Sequence, residues 1–170
     1  MPKIIKNDRI VDDAWQVLKL AEGETPTSVA LPSGAEVLVP LSVWQARKEE
    51  ILARGTPVGV WLDAGEGPEA IAADLGHFAV VAVNFPKFAD GRGYSTARLL
   101  RERYGYAGEL RAIGDVLRDQ LFFMRRVGFD AYAVRADKDI GEALAGFGDF
   151  PEAYQAAVDQ PLPLFRRRPA

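Results

Sequence analysis

The residues best suited to chemistry in this chain lie between Asn84 and Arg98, in the run NFPKFADGRGYSTAR. The run joins an apolar β-like stretch, Phe78 to Val83, to a helix through a loop that is glycine-rich and basic. A helix start normally attracts Asp or Glu, because its free N–H groups and macrodipole carry roughly half a positive charge. Here it has Lys87, Arg92 and Arg98, with Asp90 to offset them. Cations gathered there cost energy unless an anion joins them, and N–H groups beside glycines are what phosphate, sulfate or carboxylate groups bind. Ser95 and Thr96 would add hydroxyls and backbone N–H groups beside Gly93, while Lys87 and Arg92 would add charge. The alternative is structural: Arg92 and Arg98 solvated, or paired with Asp90 and Glu102.

The same run tests poorly as a dinucleotide fingerprint. Gly91 and Gly93 match its first two glycines, and Asp115 ends the next strand, where a ribose-binding acid would lie. Yet residues 84–90 separate Val83 from Gly91, and Thr96 takes the third small position. NAD(P) or flavin binding therefore has slight support, and no cofactor is evident. Asp115, with Arg118 one turn along, is the candidate general acid or base; its structural alternative is a helix N-cap. Asp63 has the same ambiguity, between function and the start of the Ala64-Gly65-Glu66-Gly67 turn.

These residues need elements to position them. From residue 36, short apolar runs alternate with helical segments. Strands are expected at 36–39, 58–62, 78–83, 110–113 and 131–134. Ser42 with Gln45 forms a capping-box signature for a helix closed by Gly55. Pro68 opens a helix that Gly76 stops. Ala97, Leu100 and Tyr104 share the face of the helix after the basic loop. Asp115 caps one carrying Leu117, Leu121 and Met124, ended by Gly128; Asp139 with Glu142 caps another through Leu144; Pro151 opens the last, to about Val158. Such alternation implies right-handed βαβ units and a parallel sheet. The fold class is α/β, with about five strands in βα units.

A complete eightfold barrel typically needs about 250 residues, and the chain has 170. The expectation is thus an open sheet flanked by helices, or a truncated TIM-like barrel that a homodimer would complete. In either, ligands bind beyond the carboxyl ends of the strands. Asp63, Asn84, Lys87, Asp115 and Arg135 fall at such ends. His77 falls at the opposite edge and is assigned to structure. Phe122, Phe123 and Met124 belong mostly to the core, although consecutive aromatics cannot share one helix face.

The first thirty residues differ in pattern. Ile4-Ile5-Lys6 and Arg9-Ile10-Val11 flank the turn pair Asn7-Asp8, Trp15 to Leu20 is a further strand candidate, and residues 23–28 have linker composition. The expected organisation is a small N-terminal β appendage over 1–30, an α/β domain over 31–160 and a flexible basic tail over 161–170.

Composition narrows the function. With 48% hydrophobic and 26% charged residues, the chain fits a domain with a proper core. A net charge of -3 lacks the broad basic excess of a nucleic-acid binder. Having no cysteine removes thiolate catalysis, disulfides and cysteine-held clusters. A single histidine disfavours a protein-only metal site. No apolar run approaches the roughly 20 residues of a membrane span, and no signal-peptide core opens the chain, so the expected location is the cytoplasm.

Two motifs carry a resemblance: DGRGYSTARLLRER from Asp90, and GELRAIGDVLRDQL from Gly108. In these the chain resembles the bacterial family known as domain of unknown function 934, over about residues 30 to 155. Members of that family are often labelled oxidoreductases, and their genes often adjoin that of sulfite reductase in assimilatory sulfate reduction. The resemblance implies a process and a possible partner, sulfite reductase, and supplies no catalytic residues. Two readings follow: an accessory protein that binds the reductase or an anionic ligand, or a small enzyme acting on a phosphorylated or sulfur-containing metabolite.

Overall fold

The computed structural model describes residues 1–87, 89–148 and 157–167. Its centre is one eight-stranded sheet in the order β2-β1-β8-β7-β6-β5-β4-β3. The strands are β1 Lys3–Lys6, β2 Arg9–Asp12, β3 Gln16–Val17, β4 Val37–Pro40, β5 Val58–Leu62, β6 Phe78–Phe85, β7 Glu109–Gly114 and β8 Ala131–Tyr132. The helices are α1 Leu41–Ala53, α2 Arg92–Glu102, α3 Arg118–Val127, α4 Ile140–Ala145 and α5 Leu164–Arg167. From β3 to β8 each strand lies beside the next in the chain, and every pair is parallel. The α/β class and parallel pairing thus agree with the sequence pattern. The strand count does not.

The three additional strands come from the first 17 residues. Asn7 (φ 49°) and Asp8 (φ 61°) make the tight turn of the β1–β2 hairpin. That hairpin pairs antiparallel with β8, while β3 pairs parallel with β4. The stretch expected to form an appendage is therefore woven into both edges of the main sheet. This has a geometric consequence. Asp12 ends β2 and Gln16 begins β3, and four residue steps reach at most about 14 Å. A flat eight-stranded sheet would hold its edges about 34 Å apart. The sheet must curl until its edges nearly meet, leaving an open, barrel-like shell whose gap is bridged by residues 13–15. The chain itself thus supplies eight strands to one sheet.

The two faces of the sheet separate the side chains by the period-2 rule of strands. Val37, Val39, Val58, Val60, Leu62, Val81, Val83, Phe85, Leu110, Ala112 and Tyr132 join buried residues of α1 to α4 in one large core. The helices thus cover one face, as winding without reversal requires. Leu38, Val80, Ala82 and Ile113 form a second cluster on the inner face, packed by Trp15, Trp61 and Ala133. A bulge in β6 leaves Ala79 unpaired and lets Val80, Ala82 and Asn84 share that inner face. Gly59 separates Leu38 from Val80: a Cβ there would lie 2.5 Å from Leu38 Cδ2 and 2.7 Å from the Val80 carbonyl oxygen.

The bridge is anchored by charge. Arg111, on the inner face of β7 and only 2% exposed, donates from Nη1 to both Asp13 carboxylate oxygens at 3.0 Å and pairs with Glu109 at 2.8 Å. Lys6 closes the network onto Glu109 at 2.7 Å. Two cations and two carboxylates make it neutral, which is how buried charge is tolerated.

Several local expectations need correction. α1 begins at Leu41 after Pro40, without the Ser42–Gln45 capping box, and kinks at Arg47 (φ -135°, ψ 27°). The segment opened by Pro68 is two short 3-10 helices, Pro68–Ala70 and Ala72–His77. Asp115 is not the cap of α3. Leu117 takes that position, and its N–H donates to the Gln120 side chain at 3.1 Å. Asp139 does cap α4, accepting from the Glu142 N–H at 2.8 Å, and Gly128 (φ 116°) ends α3. The helix expected from Pro151 falls on residues outside those described, except Ala157 and Val158, which are not helical.

Candidate functional site

The carboxyl ends of the parallel strands gather at one mouth of the shell. At β6, Asn84 faces inward and its Nδ2 donates to Asp63 Oδ1 at 2.9 Å. Asp63 follows β5; its Oδ1 also accepts the Ala64 N–H at 2.9 Å, and its own N–H donates to Glu66 Oε2 at 2.8 Å. Among the described residues, neither Asp63 Oδ2 nor Glu66 Oε1 accepts a hydrogen bond. Gly114 (φ 91°) closes β7 in the left-handed region, where a Cβ would lie 2.5 Å from the Phe85 carbonyl oxygen. That turn brings the Asp115 N–H to the same carbonyl at 2.7 Å.

A groove of about 390 Å³ opens at this mouth, lined by Lys19, Leu20, Pro40, Ser42, Trp61, Asp63, Glu66 and Asn84. Four segments of the mouth contribute, from the residues after β3 across to β6. Trp61 is held by its indole N–H, which donates to the Leu18 carbonyl at 2.9 Å. Lys19 is exposed and has no carboxylate partner among the described residues.

The basic loop takes its structural alternative in large part. Arg92 grips Asp90 with two parallel bonds, Nε to Oδ1 at 3.0 Å and Nη2 to Oδ2 at 2.6 Å, and its backbone N–H adds a third at 3.1 Å. These bonds hold the Asp90 carboxyl at about 2, well below its ordinary range. Arg98 pairs with Glu102 one turn on. Gly93 is buried because no side chain fits: a Cβ there would lie 2.7 Å from Phe85 Cζ. Thr96 is buried and its hydroxyl donates back to the Arg92 carbonyl at 3.4 Å. Lys87 and Ser95 are exposed. Arg92 Nη1 lies 4.0 Å from where a Gly65 Cβ would be, in the turn between Asp63 and Glu66.

The remaining candidates divide into two groups. Arg135 donates to Asp115 at 2.7 Å and to Asp137 at 2.6 and 2.8 Å, which raises its affinity for its proton, chiefly through Asp137. Asp115 is therefore one arm of a three-membered charge cluster at the ends of β7 and β8. Arg118 lies elsewhere, lining a separate cavity of about 240 Å³ with Asp119, Lys138, Asp139 and Glu142. His77 lies at the amino end of β6, its ring 6.1 Å from that of Trp44. Among the described residues, no cluster of His, Asp and Glu is arranged to hold a metal ion, and no helix is long and apolar enough to cross a membrane.

Of the groove residues, sequence reasoning placed Asp63 and Asn84 at strand ends, left Asp63 open between function and a turn, and named none of Lys19, Ser42, Trp61 and Glu66. Trp61 was readable as an inward strand position, and Ser42 as the residue just past a strand end. Lys19 was hidden in the supposed appendage.

The model of the bacterial protein family of unknown function, domain of unknown function 934, matches residues 59–165. The chain belongs to this family. Comparison with curated proteins finds no match. The matched region begins inside β5, so in the groove it includes Trp61, Asp63, Glu66 and Asn84 and excludes Lys19, Leu20, Pro40 and Ser42.

Proposed function

We propose that this protein is a cytoplasmic accessory protein of assimilatory sulfite reduction, which binds an anionic ligand or sulfite reductase itself at the carboxyl mouth of its sheet. The pathway rests on the resemblance carried by the Asp90 and Gly108 motifs. The binding role rests on one observation: a groove of ligand size at the strand ends, with an unpaired cation, Lys19, in its wall. Pockets of about 300–1,000 Å³ with an aromatic wall and a few polar groups are the usual form of small-molecule sites. Arg92 and Arg135 are already neutralised by carboxylates, so Lys19 is the stronger anchor for an anion.

Deleting the gene should slow growth on sulfate and sulfite but not on cysteine; equal growth on all three rejects the pathway. Purified protein should co-elute with sulfite reductase, or bind sulfate, sulfite or phosphate in calorimetric titration, with Lys19→Ala weakening the anion and Arg9→Ala leaving it unchanged. The enzymatic reading, an oxidoreductase or another activity on a phosphorylated or sulfur-containing metabolite, would gain from turnover of reduced nicotinamide that Asp63→Asn abolishes with folding intact.

A further inference from the structure

We infer that the groove takes a phosphorylated sugar or polyol, its anionic group on Lys19 and Ser42 and its hydroxyls on Asp63 and Glu66. This rests on the reading that an anionic ligand binds at the mouth, and specifies its chemistry. Size comes first. A water occupies about 30 Å³ of liquid, so a groove of about 390 Å³ is several times larger than an inorganic oxyanion needs.

The lining is also of mixed sign. Ionised carboxylates only accept hydrogen bonds, and Asp63 Oδ2 and Glu66 Oε1 are available to do so. Sulfate has nothing to donate to them, hydrogenphosphate has only one or two hydroxyls, which sit on the same atom as its charge, and both anions are repelled. A ligand filling the groove must therefore present donors on the Asp63–Glu66 side and negative charge on the Lys19 side. Hydroxyl groups beside a phosphate supply both. An amine would suit the two carboxylates, but would bring a cation against Lys19.

Geometry favours a ligand with a defined face. Asn84 fixes the orientation of the Asp63 carboxylate through its 2.9 Å bond. The Leu18 carbonyl fixes the indole of Trp61, giving an apolar wall against which the C–H face of a sugar can pack. Lys19 and Leu20 follow Leu18 directly, so one short segment carries both the tether of the aromatic wall and the cation.

The test is calorimetric titration of the full chain with ribose 5-phosphate, glucose 6-phosphate and glycerol 3-phosphate, beside ribose, glucose, glycerol, inorganic phosphate and putrescine. At least one ester should bind about tenfold or more tightly than both phosphate and its parent polyol. Lys19→Gln and Asp63→Asn should each weaken that ester about tenfold, the usual scale for a hydrogen bond to a charged group, while Arg9→Ala should not. Lys19 is exposed, so its variant reads binding and not folding. Phosphate binding as tightly as every ester would overturn the inference and leave the anion reading standing. No binding of any ester overturns the inference, and no binding of phosphate, sulfate or sulfite either would remove the anion reading as well. Preference for putrescine, or an ester insensitive to Lys19→Gln, would overturn the inference by giving the groove another ligand or the ligand another site.

Discussion

Replacing Asp13 by Ala should destabilise the protein by about 2–4 kcal/mol. Arg111 is 2% exposed and Asp13 9%, so their pair is buried and little screened by solvent. Removing one partner of a buried pair costs about 3–5 kcal/mol, since the survivor is left desolvated. The cost here is somewhat smaller because Arg111 keeps Glu109 at 2.8 Å. At about 3 kcal/mol, and with a slope of roughly 2 kcal/mol per molar urea, the urea midpoint falls by about 1.5 M. The melting temperature falls by about 6–12 °C for a chain of this size. Asp13→Ala with Arg111→Met should recover part of the loss, because an apolar side chain in place of a stranded guanidinium removes the buried charge, while Glu109 keeps Lys6. The assay is urea unfolding followed by far-ultraviolet circular dichroism. A loss under about 0.5 kcal/mol, or a double variant less stable than Asp13→Ala alone, would refute the claim that this network holds the bridge across the open sheet.

Three further outcomes follow from the packing. Gly93→Ala should cost about 1–3 kcal/mol by overpacking against Phe85 and Val83, and unfolding midpoints should show it. Gly59→Ala should cost more than Gly93→Ala, because its nearest neighbours include the Val80 carbonyl, which cannot rotate aside; the same assay ranks the two. Asp74 accepts from Lys48 and from the Trp44 indole N–H, which lowers its carboxyl below the ordinary 3.8. Its stabilising contribution is therefore complete above about 3.8 and lost as pH falls through the lower folded value. Asp74→Asn should lose stability at pH 7 and progressively less of it as the pH is taken below 3.8, and a difference independent of pH would contradict that linkage.

What the sequence made legible was local chemistry repeated along the chain. Apolar runs with helices between them specify parallel strands, and Asp139 starts α4 and Gly128 ends α3 as their side chain and backbone dictate. That β1 to β3 join the main sheet was not legible, although the sequence marks all three as strand candidates, because their partners β8 and β4 lie far off in sequence. Asp115 shows how tertiary contacts override a local rule. It stands where a cap belongs, but Arg135 from the end of β8 claims its carboxylate and Gln120 takes over the N-terminus of α3. The cations of the basic loop mislead for a related reason: Asp90 is two residues from Arg92 and reaches it three times over.

The candidate site depends on this long-range closure. Lys19 and Leu20 can wall the groove because β3 is carried across to β4, and β3 can be there because the sheet curls until residues 13–15 span its gap. The Asp13–Arg111 pair and the packing of Trp15 on Val80, Ala82 and Ile113 hold that span in place at the inner face. The matched family region begins at residue 59, after this closing segment. The mouth is thus built from two sources: inward polar groups at the ends of β5 and β6, within the matched region, and a cation and hydroxyl from the preceding segment. On the proposed reading, the part of the groove outside the matched region supplies the cation for the ligand's anionic group, and the part within it supplies the carboxylates that would accept from its hydroxyls.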